Sequence, residues 1–322
     1  MSEHAPTSKA VRDRLQRPLR DLRISVTDRC NFRCVYCMPR EIFGPGYAFL
    51  PRKDLLTLEE IARVAKVFSA LGMRKVRITG GEPLIRRNLE HLIEMIGATE
   101  GVEDISLTTN GSMLTADRAV SLRQAGLKRL TISLDALDDA TFKSINDVDY
   151  PASRVLDGIN NARAAGFSDI KVNAVVRRGL NEHAVLDLAK HFRHSGCIVR
   201  FIEYMDVGET NGWNLDDVIP AADLVDRIDA LYPLEAVSPN YPGEVAKRWR
   251  YRDGAGEIGF ITSVTQSFCG DCSRARLSAV GELYTCLFGT QGHDLRSLLR
   301  SGADDTQLLQ AVSEIWQART DR

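Results

Sequence analysis

The chain has no apolar run approaching the length of a membrane span, no internal repeat and no low-complexity tract. It also has almost no net charge, since 42 Lys and Arg against 43 Asp and Glu leave −1. These absences argue against a membrane-spanning helical protein and a repeat array, and near-neutrality argues against nonspecific binding to nucleic acid. A polyanionic ligand would have to be met by cations gathered locally. Cysteine is scarce, with seven in 322 residues, and the seven cluster in short motifs instead of being spread as a disulfide framework. That grouping predicts metal ligation in a reducing, cytoplasmic setting. Lys9, Arg12, Arg14, Arg17 and Arg20 occupy the first twenty residues with no hydrophobic stretch behind them, so no secretory signal is read. Residues 1–20 are expected to be a mobile basic tail, with an organelle-targeting segment as the alternative.

What is present is ordinary for a globular chain, with 44% hydrophobic and 26% charged residues. Short β-branched runs at 22–27, 75–79, 104–109, 129–135, 170–176 and 198–205 alternate with helical patterns. One such pattern is 58–71, with Ile61, Val64, Ala65 and Phe68 at helical spacing. Gly72, Gly126 and Gly166 stand where helices should stop. Six βα units predict an α/β fold, an incomplete (β/α)6 TIM-type barrel with an open seam. After Met205, the residues Gly208, Asn211, Gly212 and Trp213 mark a boundary, dividing the chain into a barrel at 21–210 and a second region at 211–322. The second region reads as a helix at 221–231, hairpin-like strands at 247–251 and 258–263, and a charged helical end.

Strand parity places polar residues inside. In the first run Leu22, Ile24 and Val26 share one face and Arg23, Ser25 and Thr27 the other. Equivalent alternation puts Arg77, Ser133, Lys171 and Asn173 on the inner face, where a closed barrel would hold branched apolar residues. Exposure on an open sheet face is the alternative. Buried cations need an anion to offset their desolvation, which makes a polyphosphate ligand plausible.

Cys30, Cys34 and Cys37 follow the first strand at C-x3-C-x2-C spacing. Three thiolates suit a cubane iron–sulfur cluster with one iron left open to a ligand. Gly80-Gly81-Glu82-Pro83 follows the second strand at the same end. The glycines permit close backbone approach to a ligand and Glu82 can hold a cationic group; a tight βα turn alone would use the same residues. Cys269, Cys272 and Cys286 form a second group, with Arg274 and Arg276 beside it. Half a zinc knuckle completed by His293, or a redox dithiol, remains open for these three. Cys197 stands apart and reads as a packed core thiol.

In combination these motifs resemble the radical S-adenosylmethionine superfamily and, within it, the GTP 3′,8-cyclase family of molybdenum cofactor biosynthesis. The resemblance implies two [4Fe-4S] clusters, held by Cys30, Cys34 and Cys37 and by Cys269, Cys272 and Cys286. It implies S-adenosylmethionine bound by Tyr36, Gly81, Glu82, Ser133 and Met205. GTP would be bound by Arg23, Arg77, Thr109, Lys171, Arg274, Ala275 and Arg276, with Arg274 and Arg276 also acting in catalysis. The implied fold is the partial barrel with a C-terminal iron–sulfur domain closing its seam. An external one-electron donor and, as pathway partner, cyclic pyranopterin monophosphate synthase are implied too; the oligomeric state is open between monomer and homodimer. Competing readings are a peptide-modifying radical enzyme with an auxiliary cluster and a non-catalytic zinc or iron–sulfur binding module. The likeness departs at the end, where the family carries a Gly-Gly tail and this sequence ends at Arg319, Thr320, Asp321 and Arg322.

Overall fold

The six expected strands form in order as β1 (Asp21–Ser25), β2 (Lys75–Thr79), β3 (Asp104–Thr109), β4 (Arg129–Ser133), β5 (Ile170–Val176) and β6 (Ile198–Glu203). Each pairs in parallel with the next. The computed structural model describes residues 10–206 and 212–321. Lys9, Gly208, Asn211 and the expected boundary at 210 lie outside the described residues.

Helices α1 (Leu58–Ala70), α2 (Leu89–Gly97), α3 (Ala116–Gln124), α4 (Asp139–Asn146), α5 (Ala152–Ala164) and α6 (Val185–Phe192) connect these strands, two of them between β4 and β5. Local chemistry sets their ends. At α1, Thr57 and Glu60 form a reciprocal capping box, Ile61, Val64, Ala65 and Phe68 are buried, and Gly72 stops the helix at φ 103°. The outward-facing strand residues, among them Leu22, Ile24, Val76, Ile78, Leu130 and Val172, are buried beneath the helices. Burial of each such aliphatic side chain contributes about 1.5–3 kcal/mol, so this outer layer holds the fold and the inner face is free to be polar.

The C-terminal region comprises α7 (Ala221–Asp229), β7 (Leu234–Val237), β8 (Lys247–Tyr251), β9 (Glu257–Ile261), β10 (Arg274–Leu277), β11 (Glu282–Tyr284), β12 (His293–Asp294), α8 (Leu295–Arg300) and α9 (Asp305–Ala318). The expected hairpin is present as β8 against β9, with β7 antiparallel to β8. β9 also joins β6 in parallel, and β10 joins β1 in parallel. The C-terminal region therefore extends the barrel sheet at both edges, giving one 12-stranded sheet ordered β12-β11-β10-β1-β2-β3-β4-β5-β6-β9-β8-β7. Among the described residues its ends do not pair with each other. Glu203, buried at the end of β6, fastens the join by accepting from the backbone N–H groups of Ala221, Val264 and Thr265, each at 2.9 Å.

From residue 10 the N-terminal segment differs from the expected mobile tail. Asp13 and Arg17 are only 2% and 3% exposed and form an ion pair at 2.6 Å. Arg17 Nη1 donates to the Cys269 carbonyl at 2.8 Å, and Trp316 Nε1 donates to the Arg17 carbonyl at 3.2 Å. Leu19 is fully buried. The basic residues misled because their sequence neighbourhood is polar. Their partners come from the far end of the chain.

Candidate active site

The inner faces of the strands enclose a cavity of about 200 Å³ into which Arg23, Arg77, Lys171, Arg200, Arg274 and Arg276 project. Register arranges the charge in layers. Toward the N-terminal ends of the strands, Arg274, Asp21, Lys75 and Asp104 lie side by side, so charge alternates. Two residues higher, Arg276, Arg23 and Arg77 lie side by side with no acid between them. Among the described residues none of the six lumen cations named above makes an ion pair. Burial holds the Arg23 guanidinium well below its ordinary range, reinforced by Arg77, Arg276 and Arg274. Burial, with help from neighbouring cations, likewise lowers Lys171 to about 8, Arg200 to about 9 and Arg276 to about 10. Among the described residues, Nε of Arg200, Nε of Arg274 and Oδ1 of Asn173 are buried without hydrogen-bond partners. A chamber with this much unbalanced positive charge is built for a polyanion.

At the C-terminal ends of the strands Cys30, Cys34 and Cys37 line a second cavity of about 380 Å³, with Gly80, Gly81, Ser25 and Thr27. A Cβ at Gly81 would lie 2.2 Å from the Arg29 carbonyl oxygen, and one at Gly80 would lie 2.6 Å from that of Thr27. Both positions therefore need glycine to let the turn press against the cysteine loop. Burial raises all three thiols, Cys37 to about 11. A bound iron–sulfur cluster would reverse this, because metal charge deprotonates coordinating thiols. Among the described residues no three His, Cys, Asp or Glu side chains converge on one metal-ion position. Thiols spaced around a cavity fit a polynuclear group better than a single ion.

The second cysteine group lies at the opposite end of the sheet. Cys272 precedes β10, whose first residue Arg274 pairs with Asp21 at the start of β1. Since β1 rises about 3.3 Å per residue, the two groups stand at opposite ends of the arginine-lined lumen. Cys269, Cys272 and Cys286 line a small cavity with Arg274, Arg276 and Arg319. Arg319 donates to the Cys272 carbonyl at 2.7 Å and lies 3.6 Å from Asp13. Burial raises the Cys272 thiol, but Arg274 and Arg319 outweigh it and bring the thiol down to about 7. His293 is exposed in β12 and does not line this cavity, so the zinc reading loses its fourth ligand. Cys197 is buried, as expected.

Over 98% of its length the chain is 57% identical to the GTP 3′,8-cyclase of Acidothermus cellulolyticus, of which it covers 88%. The chain belongs to the GTP 3′,8-cyclase family. The family's Staphylococcus epidermidis member is 47% identical over 98% of the chain and 92% of that protein. Residues 24–192 match the Radical SAM superfamily and residues 197–322 match Molybdenum Cofactor Synthesis C. As a radical SAM member of the cyclase family, the chain takes S-adenosylmethionine and a [4Fe-4S] cluster. Streptococcus suis SuiB bound to S-adenosylmethionine shares the fold, with a TM-score of 0.65 at 15% identity over 95% of this chain and 69% of SuiB.

In this cyclase-family chain Arg23, Arg77, Lys171, Met205, Arg274 and Arg276 share the lumen, and Gly81 borders the cysteine cavity. Ala275 is fully buried on the other face of β10. Thr109 is not brought to the lumen: it is buried and donates to Glu82 Oε1 at 2.7 Å, whereas its neighbour Thr108 lines the cavity. Glu82, 1% exposed, also accepts from the Leu84 and Asn110 N–H groups at 2.9 and 2.7 Å. It thus binds the second and third strand ends together behind the cavity wall. Tyr36 donates to Asp135 Oδ2 at 2.8 Å, and burial raises that carboxyl to about 6. Ser133 ends β4, paired with Asn173. Sequence reasoning missed Arg200, Asp135, Arg17 and Arg319. Arg200 was discoverable, since it shares the inward parity of Arg23; the others depend on long-range contacts.

Proposed function

We propose that this chain converts GTP to (8S)-3′,8-cyclo-7,8-dihydroguanosine 5′-triphosphate, the first step toward molybdopterin, with a cluster at each cysteine group. The reading is carried by one observation: cations that make no ion pair among the described residues crowd a lumen lying between two sets of three cysteines. When bound and reduced, the first cluster and S-adenosylmethionine supply a 5′-deoxyadenosyl radical. Arg23, Arg77, Lys171 and Arg200 hold the triphosphate, trading the cost of burying cations for charge-assisted hydrogen bonds. Arg274 and Arg276 lie between this anion site and the second cysteine group, placing their charge beside the base. Tyr36, fixed by Asp135, and Ser133 and Met205 orient S-adenosylmethionine, while Gly81 lets the backbone approach it. Glu82 and Thr109 hold the turn that shapes this wall. An external one-electron donor and cyclic pyranopterin monophosphate synthase are the proposed partners, and the cytoplasm is the proposed location.

Anaerobic incubation with iron-reconstituted chain, GTP, S-adenosylmethionine and a strong reductant tests this. Cyclised nucleotide together with 5′-deoxyadenosine is expected. Formation of 5′-deoxyadenosine with no cyclised nucleotide would refute the substrate assignment and leave the superfamily intact. About eight irons per chain is expected for two clusters; about four would refute the second.

A further inference from the structure

The near-neutral charge of the chain is unevenly spread. Between residues 28 and 54 stand Arg29, Arg33, Arg40, Arg52 and Lys53 against Asp28, Glu41 and Asp54; Arg40 is paired with Asp147 at 2.7 Å, whereas among the described residues Arg29, Arg52 and Lys53 make no ion pair. This segment wraps the first cysteine group. Met38 and Leu50 line its cavity, and the Leu50 N–H donates to Asp28 Oδ2 at 2.7 Å. Arg33 fastens the segment by donating to the Phe43 carbonyl at 2.6 Å and the Cys30 carbonyl at 2.9 Å. Arg29, Arg52 and Lys53 are exposed.

An aromatic cluster lies within this cationic frame. Phe43 and Tyr47 have ring centroids 4.7 Å apart, Tyr47 and Phe49 4.9 Å, and the Arg33 guanidinium lies 5.3 Å from the Phe49 centroid. Ile42 and Tyr47 are 44% and 41% exposed. Neighbouring large apolar side chains left in water, next to arginine, have the composition of a protein interface core.

We propose that this loop, 40–53, is the docking surface for an acidic one-electron carrier protein that reduces the centre held by Cys30, Cys34 and Cys37. The inference rests on the cluster reading above and adds the class and location of the partner. Charge selects an acidic partner, and the exposed aromatic side chains select a protein over a small anion. Position selects a redox partner, because Met38 and Leu50 connect the loop to the cavity wall. The transfer balances as one electron: the reduced carrier is oxidised and the iron–sulfur centre reduced, with no bond made or broken.

The test uses the full chain reconstituted anaerobically with iron and sulfide, and an acidic plant-type [2Fe–2S] ferredoxin as the probe. Reduction is followed by absorbance bleaching in stopped flow, with neutral photoreduced deazaflavin as the comparison reductant. Arg52→Glu with Lys53→Glu should slow reduction by ferredoxin roughly tenfold or more at low salt. The difference should fade near about 0.5 M salt. Tyr47→Ala should slow it severalfold at either salt, and deazaflavin should reduce every variant at the wild-type rate. Equal ferredoxin rates in wild type and variants would overturn the proposal. So would parallel slowing with deazaflavin, or equal competition by duplex DNA or anionic vesicles. The cluster reading is judged separately, by wild-type iron content and by ferredoxin affinity of the iron-free chain, which should still fall in the charge-reversed variant.

Discussion

Replacing Gly81 by alanine should do damage that no side-chain adjustment can absorb. The added Cβ would sit 2.2 Å from the Arg29 carbonyl oxygen, 2.5 Å from its carbon and 2.9 Å from the Asp28 oxygen, all backbone atoms. Real Cβ contacts essentially never fall under 3.0 Å, so the cysteine loop must retreat by about 0.8 Å in a close-packed wall. That movement pulls on the Gly81 N–H to Thr27 O and Glu82 N–H to Arg29 O hydrogen bonds, both 2.8 Å. Two bonds at about 1 kcal/mol each and overpacking strain of about 1–3 kcal/mol give a destabilisation of about 3–5 kcal/mol. Differential scanning calorimetry of the iron-free chain should show a melting temperature lower by roughly 4–7 °C. Iron retention and S-adenosylmethionine affinity should fall with it, because Arg29 precedes Cys30. Gly46 provides the control: a Cβ there meets nothing within 4 Å, and Gly46→Ala should melt with the wild type. A Gly81→Ala protein with unchanged melting temperature and S-adenosylmethionine affinity would refute the close-approach argument.

Arg23→Met should raise the melting temperature of the ligand-free chain, by removing a buried unpaired cation, and abolish the further rise that GTP causes; a lower ligand-free melting temperature would contradict the lumen electrostatics. Lys171, lowered to about 8, holds fewer protons when folded than when unfolded between about pH 8 and its ordinary value. Its contribution to ligand-free stability is therefore least favourable below pH 8 and improves as pH rises. Triphosphate binding reverses the shift, so GTP binding above pH 8 should take up protons in calorimetry across buffers, and Lys171→Met should reduce that uptake. Asp13→Ala strands Arg17 and Arg319 in the interior, costing about 3–5 kcal/mol in urea unfolding and lowering iron at the second cysteine group ahead of the first. Glu82→Ala leaves three buried donors unmet at about 1–3 kcal/mol each, whereas Glu82→Gln should retain part of the loss; equal unfolding midpoints for the two would count against the hydrogen-bond account.

What could be read in advance followed the range over which each feature is encoded. Alternation in β1, β2 and β5 is local, and so were Arg23, Arg77 and Lys171 on the inner face. Helix stops at Gly72, Gly126 and Gly166 are local too, and all three carry positive φ. Thr109 came from the resemblance and not from parity; its hydroxyl is turned to Glu82, and parity alone points to Thr108, which lines the cavity. The placement of β9 beside β6 and β10 beside β1 has no local signal, since a parallel edge is chosen by a segment distant in sequence. For the same reason, Asp13 and Arg17 resembled a solvated tail until Arg319 and Cys269 were placed beside them.

The pairing of β10 with β1 also sets an order of events during synthesis. Asp21 must wait for some 250 intervening residues before it meets Arg274, a long loop closure for a parallel edge. Until then β1 presents an unpaired edge, the kind of surface that recruits other chains. The first cysteine group and its glycine turn are complete long before this, so a nascent chain can load that centre while the segment carrying Cys269, Cys272 and Cys286 is still on the ribosome. Folding of the last fifty residues is thus the step that both seals the exposed edge and completes the cation-lined chamber, and slow release of the C-terminus should show up as aggregation of chains already carrying iron.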